Sequence, residues 1–201
     1  MVFFPVIVRL LAESMENKNP AFLYGINPVT EALRAGKRTC QKIVVADEKP
    51  SRRITLLLDW VRRKKIPLEK LPKQAFRQKY AAVLHQGVVG FFSFKETTGL
   101  DELVRQAFKE STRPTLALLD GIQDPQNLGS ILRSAESLGV SGIVMPRRGS
   151  PELNETVAKC SSGAIEYLPV ALVTNLSEAM KQLKKENFWV VGVDVAGEVV
   201  E

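Results

Sequence analysis

The sequence predicts an α/β fold with a parallel sheet in its carboxyl-terminal half. From Thr115 onward, short apolar runs alternate with helical patterns, the order of elements that builds a parallel sheet covered by helices. The clearest unit is an apolar strand, Thr115–Leu119, followed by a polar loop and a helix with Ile131, Leu132 and Ala135 on one side. Shorter strands and helices alternate between residues 21 and 95, so we expect a smaller α/β unit before it.

The amino-terminal unit opens with a helix that Asn27 caps and Pro28 begins, and that ends near Gly36. The next helix is amphipathic, because Ile54, Leu57, Leu58 and Val61 share one face. The predicted elements after the first helix are a strand at Lys42–Ala46, a helix at Arg52–Lys64, a short edge strand at Ile66–Leu68, a helix from Pro72 to Lys79 and a closing strand at Gly87–Phe92.

Residues 96–113 form a linker and a helix, and residues 114–201 form the larger unit. A helix is predicted in the linker because Leu100, Leu103 and Ala107 recur on one side. The predicted strands of the larger unit are Thr115–Asp120, Gly142–Met145, Tyr167–Ala171 and Phe188–Val193, and its predicted helices are Leu128–Leu138, Glu152–Ser161 and Asn175–Lys185.

Residues 1–20 are interpreted as a poorly ordered extension. Their apolar run, Val2–Leu11, is interrupted by Pro5 and Arg9, and a membrane span needs about 20 apolar residues. The run also lacks the leading positive charge and small-residue cleavage site of a secretory signal. We therefore expect no membrane partner.

The charge of the chain is distributed unevenly. Its net charge is +6, with 45% hydrophobic and 25% charged residues, the composition of a soluble globular protein. Between Met15 and Lys95, 17 lysines and arginines stand against 6 aspartates and glutamates, a net charge of +11, while the rest of the chain carries −5. A basic unit beside an acidic one is typical of an RNA-docking module joined to a catalytic module. The alternative is a lysine-rich surface that only contacts solvent.

Metal and ordinary nucleotide chemistry find no support in the sequence. The chain has two cysteines, Cys40 and Cys160, and one histidine, His85, too few for a zinc site or a disulfide framework. Neither G-x-G-x-x-G nor G-x-x-x-x-G-K-S occurs, so a dehydrogenase or P-loop enzyme is not indicated. Unpaired cysteines are typical of a reducing compartment, and we expect a cytoplasmic protein.

The loop and helix after the strand Thr115–Leu119 hold the strongest candidate site. Loops at the carboxyl ends of parallel strands bind ligands in α/β sheets. Here Asp124 and Pro125 shape the turn, and Gly129 allows close approach of backbone or ligand. Asn127 and Arg133 add an amide and a guanidinium within two helical turns. The alternative is an ordinary helix with an asparagine cap and a surface arginine.

The string D-G-I-Q-D-P-Q-N-L-G-S-I-L-R-S-A, residues 120–135, resembles the first motif of the SpoU (TrmH-type) branch of the SPOUT RNA 2′-O-methyltransferases. The segments Leu23–Leu33, His85–Val88 and Val157–Ala164 are similar to further parts of that family. The resemblance implies a small amino-terminal RNA-binding domain, residues 21–95, and an α/β-knot methyltransferase domain, residues 114–201. It also implies S-adenosylmethionine as cofactor, RNA as partner, methyl transfer to a ribose 2′-hydroxyl and a homodimer.

The resemblance also assigns roles to individual residues. Arg133 and Asn127 correspond to the catalytic pair of the first motif. Thr174 and Asp194 follow later strands and are the cofactor-binding candidates, and no residue is expected to bind a metal. The RNA-binding candidates are Arg147, Arg148 and Lys159 in the methyltransferase domain and Arg52, Arg53, Arg62 and Arg63 at the ends of a basic helix.

Two later motifs of the family have no match in this chain. They are a Gly-rich loop with a glutamate and a Ser/Leu/Asn segment, which form the trefoil knot and most of the cofactor pocket. We therefore expect a methyltransferase domain without its carboxyl-terminal knot segment, with most of the cofactor site beyond Glu201. The two-domain layout resembles that of enzymes methylating guanosine in 23S rRNA. The alternatives are a tRNA or thiostrepton-resistance methyltransferase, and a non-catalytic RNA-binding remnant.

Overall fold

Two β-sheets organise the chain in the computed structural model, which describes residues 20–193. The first half contains β1 (Ala21–Tyr24), α1 (Ile26–Ala35), β2 (Cys40–Asp47), α2 (Arg52–Arg63), β3 (Leu68–Pro72), α3 (Lys73–Lys79) and β4 (Val88–Phe92). The second half contains α4 (Leu100–Glu110), β5 (Leu116–Leu118), α5 (Pro125–Ser137), β6 (Gly142–Pro146), α6 (Glu155–Cys160), a 3₁₀ turn (Ala164–Glu166), β7 (Val170–Val173) and α7 (Leu176–Lys185).

The first sheet is mixed and has the strand order β1-β4-β2-β3. Strand β4 runs antiparallel to both neighbours, while β2 and β3 are parallel. Alternate residues of the strands point to opposite faces, so Val44 and Val89 pack with Phe76 and Tyr80 on the α3 side. The other face is covered by α1 and α2. Helix α1 begins one residue before the predicted cap Asn27, because Gly25, at φ +92°, is its N-cap.

The second sheet is parallel, with the order β5-β6-β7. Helices α4 and α7 cover one face, where Leu103 and Leu183 pack on Val144. Helices α5 and α6 cover the other face, where Leu128 and Val157 join the larger core. The predicted parallel α/β arrangement with helices on both faces is therefore confirmed.

Three predicted strands differ in the structure. The strand predicted at Tyr167–Ala171 begins at Val170, because Tyr167 and Leu168 form a turn after the 3₁₀ segment and Pro169 precedes the strand. The edge strand predicted at Ile66–Leu68 lies at Leu68–Pro72, still at the edge of its sheet. Strand β5, at Leu116–Leu118, is shorter than the predicted Thr115–Asp120 and is a half-buried edge strand.

The strand predicted at Phe188–Val193 is wrong for the structure described here. These residues follow α7 without a strand ladder, and Trp189 is 96% exposed. Valine and aromatic residues favour an extended strand, but a strand also needs a neighbouring strand to bond. The segment lies beside β5 across an open groove of about 1240 Å³.

One apolar core joins the two halves. It contains Leu23 and Leu33 from the first half together with Leu132, Val157 and Ile165 from the second. The linker also belongs to the second half, because Thr98 forms a parallel bridge with Ala171 in β7. Between residues 20 and 193, no helix is long and apolar enough to cross a membrane.

Candidate functional site

The loop between β5 and α5 is shaped by Asp124. Its Oδ1 accepts a hydrogen bond from the backbone N–H of Gln126 at 3.0 Å, which makes it the N-cap of α5, and Pro125 follows at the first helical position. Gly121 has a φ of +65°, a conformation that glycine adopts without strain. The predicted turn-shaping role of Asp124 is confirmed.

Gly129 lets α5 lie directly on α6. A Cβ atom at this position would stand 2.5 Å from Cβ of Cys160, 3.0 Å from the backbone N of Ser161 and 3.1 Å from the carbonyl oxygen of Val157. The approaching group predicted at Gly129 is therefore the backbone of α6. This contact sets the position of the helix that carries Asn127 and Arg133.

Asn127 and Arg133 both lie on the solvent side of α5. Their side chains are exposed, whereas Leu128, Leu132 and Ala135 face the core. Asn127 is in the first turn, next to the carboxyl end of β5, and Arg133 follows six residues later, roughly 9 Å further along the helix axis. The structure therefore leaves both the amide and the guanidinium accessible to solvent, at positions of α5 that are about 120° of helix rotation apart.

The carboxyl ends of β6 and β7 bring further candidates to the same edge. Arg147 and Arg148 follow β6, and Thr174 follows β7. All three are exposed, and the backbone N–H of Arg147 donates to the carbonyl oxygen of Val173 at 2.8 Å, which ties the two loops together. Since the strands are parallel, these residues and Asn127 line one edge of the sheet. Asp194, the other cofactor candidate, lies outside the described residues.

The four arginines of α2 do not form one patch. Arg52 and Arg53 begin the helix and Arg62 and Arg63 end it, roughly 16 Å apart by the rise of a helix. All four are exposed. Arg53 donates to Oδ1 of Asn27, and Arg62 pairs with Asp59 at 3.2 Å. The helix therefore presents two separate basic ends.

Lys159 lies between the two halves of the chain. Its Nζ donates to the carbonyl oxygen of Leu84 at 3.0 Å and to Oε1 of Gln86 at 3.3 Å, and it lies 5.6 Å from the ring centre of Tyr24. Partial burial lowers its pKa. The ammonium is thus engaged at the contact between the halves, and its role in binding RNA stays a prediction.

His85, beside this contact, is not positioned as a general base. Its Nδ1 accepts a hydrogen bond from the N–H of Gly87 at 3.0 Å, and its ring packs edge-on against Phe76. Burial lowers its pKa, and Arg77 lowers it further, so the imidazole is neutral at pH 7. Its hydrogen bond and packing hold the loop that carries Gln86.

Sequence reasoning missed a group of charged residues between the halves. Arg38 and Glu166 form an ion pair, with Nη2 and Oε1 2.9 Å apart and side chains 2% and 0% exposed. Nζ of Lys95 donates to the carbonyl oxygen of Glu166 at 3.5 Å. Arg38 and Lys95 sit in polar stretches that resemble surface segments, Glu166 lies among apolar residues, and no local spacing links the three. Only the packing of the two halves brings them together.

Comparison with known proteins identifies two family regions. Residues 22–98 match the family model described as RNA 2′-O ribose methyltransferase substrate binding. Residues 114–201 match the model of the SpoU rRNA Methylase family.

Curated relatives extend over most of the chain. The chain is 35% identical over 175 residues to YacO of Bacillus subtilis, and the aligned region covers 87% of this chain and 70% of YacO. YacO is named as a member of the TrmH family of tRNA/rRNA methyltransferases. It is 37% identical over 172 residues to a similarly named protein of Staphylococcus aureus strain MSSA476, covering 86% and 68% of the two chains.

Solved structures share the fold. An S-adenosylmethionine-bound rRNA methyltransferase from Sinorhizobium meliloti superposes with a TM-score of 0.65 at 18% identity, covering 92% of this chain and 67% of that one. The SpoU methyltransferase AviRb from Streptomyces viridochromogenes, also bound to S-adenosylmethionine, gives 0.61 at 20% identity, covering 84% and 61%. The chain thus spans about two thirds of the length of these structures.

Proposed function

Because the chain belongs to the TrmH (SpoU) family of RNA methyltransferases, we propose that it takes part in methyl transfer from S-adenosylmethionine to a ribose 2′-hydroxyl of RNA. The observation that carries this proposal is the grouping of Asn127, Arg147, Arg148 and Thr174 at one sheet edge, with Arg133 exposed on the helix that starts there. Positive charge and hydrogen-bonding groups at a strand-end edge suit an anionic substrate.

The residues at this edge fit part of a nucleoside cofactor. Thr174 offers an exposed hydroxyl at the end of β7, and Asp120 offers an exposed carboxylate after β5. Such groups suit the hydroxyls and the ammonium of S-adenosylmethionine. Thr174 and Asp120, with Asp194 beyond the described residues, would hold it. When bound, this cofactor supplies a methyl group on a sulfonium, which is already activated for transfer.

The residues of the chain then align and activate the RNA. Bound S-adenosylmethionine would supply its methyl group to a ribose 2′-hydroxyl held at this edge of the sheet, and the hydroxyl proton would pass to solvent. A guanidinium is a poor base at neutral pH, so Arg133 acts by holding a substrate phosphate and stabilising the charge that develops on O2′. Asn127 orients the target nucleotide from the first turn of α5.

We propose that the two halves have the separate roles that the two family regions suggest. Residues 21–95 dock RNA through the basic ends of α2, residues 96–113 connect, and residues 114–201 perform the transfer. Arg147 and Arg148 contact the RNA backbone near the transfer site. We propose 23S rRNA as the substrate and a cytoplasmic location.

Calorimetric titration of S-adenosylmethionine into the 201-residue chain tests the cofactor assignment. Micromolar binding, weakened by Thr174→Val, is the expected result. A folded chain that binds RNA but not the cofactor would contradict methyl transfer by this polypeptide and favour an RNA-binding role.

Methylation of RNA transcripts tests the substrate assignment. Tritiated methyl transfer to 23S rRNA fragments should exceed transfer to tRNA, and Arg133→Ala should abolish it while cofactor binding remains. Arg105→Ala, an exposed helical arginine of the same half, is the matched control. Undiminished transfer by Arg133→Ala would overturn its role, and preferential transfer to tRNA would overturn the rRNA assignment.

A further inference from the structure

Two sets of polar contacts join the halves of the chain. The first, here the charged junction, consists of Glu31, Lys37, Arg38 and Lys95 on one side and Glu166 and Tyr167 on the other. The second, here the lysine contact, consists of Lys159 with Leu84 and Gln86. Both flank the shared apolar core.

The charged junction aligns the halves at several points. Besides the Arg38–Glu166 pair, the hydroxyl of Tyr167 donates to Oε2 of Glu31 at 2.6 Å, and Nζ of Lys37 donates to the carbonyl oxygen of Tyr167 at 3.2 Å. Buried ion pairs add little net stability but tolerate few alternative arrangements. The apolar core therefore supplies the attraction, and the charged junction fixes the relative orientation.

The lysine contact continues into the backbone of the first half. Oε1 of Gln86 accepts from Nζ of Lys159 and also from the N–H of Ile26 at 3.1 Å, at the start of α1. Gln86 itself adopts a positive φ of 53°, an uncommon conformation for a residue other than glycine. The strained loop is thus held by contacts from both halves.

Two glycines permit the close fit. A Cβ at Gly163 would stand 2.6 Å from Cβ of Glu31, and a Cβ at Gly25 would collide with Nζ of Lys159. Both glycines have a φ of +92°. The fit at Gly163 involves Cβ of Glu31 and is independent of the charged contacts, whereas the fit at Gly25 accommodates the Lys159 ammonium itself.

The connecting segment is also fixed to the second half. The N–H of Thr98 donates to the carbonyl oxygen of Val170 at 2.9 Å, just after Lys95 reaches Glu166. The segment is therefore bound at two points where it leaves the first half. A tether of this kind does not act as a flexible linker.

We propose that Lys159, Arg38 and Glu166 are positioning residues that hold the two halves as one rigid body, with the basic ends of α2 at a fixed distance from Asn127 and Arg133. The consequence for substrate choice rests on the proposed function. A fixed distance selects RNA in which a structured docking element and the target nucleotide are held apart by a constant span.

The distance between the halves tests the proposal without RNA or cofactor. One spin label is attached at Lys70→Cys in β3 and another at Ser177→Cys in α7, both exposed positions. Cys40→Ala and Cys160→Ala remove the two native thiols, so that only these sites are labelled. Electron–electron double resonance should give one narrow distance distribution. A broad or double distribution in the otherwise unaltered protein would overturn the proposal, whatever the RNA experiments show.

Variants then test the positioning residues. Lys159→Met and Arg38→Met should each lose the single narrow distance, while Lys159→Arg should retain it. The exposed controls Lys185→Met and Arg105→Met should leave it unchanged. If Arg38→Met does not fold, Lys159→Met, which removes a half-buried contact, still decides the outcome. A narrow distribution in folded Lys159→Met and Arg38→Met would remove these residues from the proposed role.

RNA selection is measured separately. A folded Lys159→Met should keep its affinity for a docking hairpin but lose discrimination between RNAs that differ in the span to the target nucleotide. If the parent chain shows a narrow distance distribution but binds no RNA, the rigid docking stands and the proposed function fails. If the parent binds RNA but shows no preference for one span, the substrate-selecting role is overturned.

Discussion

The guanidinium of Arg38 and the carboxylate of Glu166 meet at 2.9 Å in a contact from which solvent is almost entirely excluded. Neither carboxylate oxygen of Glu166 has a well-aligned hydrogen-bond donor among the described residues. Burial raises the pKa of Glu166, although Arg38, Lys95 and Lys37 oppose this effect. The charged form of the Glu166 carboxylate is therefore stabilised by these three nearby cations.

Removing one partner of this pair should lower the free energy of unfolding more than removing both partners. We expect Glu166→Leu to lower the free energy of unfolding by about 3–5 kcal/mol, because Arg38 is left buried without a counter-charge. The double variant Arg38→Met/Glu166→Leu should regain most of the loss. Urea denaturation of the parent, Arg38→Met, Glu166→Leu and the double variant completes a double-mutant cycle, which measures the coupling energy between the two side chains. Additive losses would show that the pair does not interact.

Lys95 should make stability depend on pH in the alkaline range. Burial lowers its pKa from 10.5 to about 8 in the folded protein. Between these values the unfolded chain binds more protons, so stability rises as the pH increases through the window, by about 3 kcal/mol over its full width. Denaturant unfolding of the parent and of Lys95→Met between pH 7.5 and about 9.5 measures this dependence as the difference between the two proteins, because Cys40, whose pKa burial raises to about 11, has the opposite effect on stability in both. If the free energy of unfolding changed equally with pH in both proteins, the lowered pKa of Lys95 would be contradicted.

Gly129→Ala should destabilise the protein despite the better helix propensity of alanine. The new Cβ would meet Cβ of Cys160 at 2.5 Å and backbone atoms of α6, so the helices must separate, at a cost of about 1–3 kcal/mol. Gly99→Ala is the control, because nothing lies within 4 Å of its Cβ position. Thermal unfolding compares the two variants, and equal transition temperatures for both would contradict the close contact between α5 and α6.

The two basic ends of α2 should contribute separately to RNA affinity. Arg52→Gln/Arg53→Gln and Arg62→Gln/Arg63→Gln each remove two exposed charges. If each pair contacts phosphates, either change lowers the steepness of the salt dependence by about 1–2 in log–log slope. Titration of a structured RNA at several salt concentrations gives the slope. Lys184→Gln/Lys185→Gln on α7 is the control, and an unchanged slope for an α2 pair would exclude phosphate contacts at that end.

The sequence alone determined the elements and the family. Local signals suffice for them: apolar periodicity defined most helices and strands, Asp124 and Pro125 marked the start of α5, and the string around Asn127 and Arg133 carried the resemblance that the relatives confirm. Family membership follows because such a motif is a property of neighbouring residues in the chain.

Tertiary structure decided how these elements use their residues. Phe188–Val193 has the valine-rich and aromatic composition of a strand but no ladder, because pairing depends on a partner and not on the segment itself. Lys159 resembles a surface lysine in sequence, yet its ammonium is bound by Leu84 and Gln86. Arg38 and Glu166 meet only because one apolar core draws two distant parts of the chain together, and burial then makes their opposite charges depend on each other.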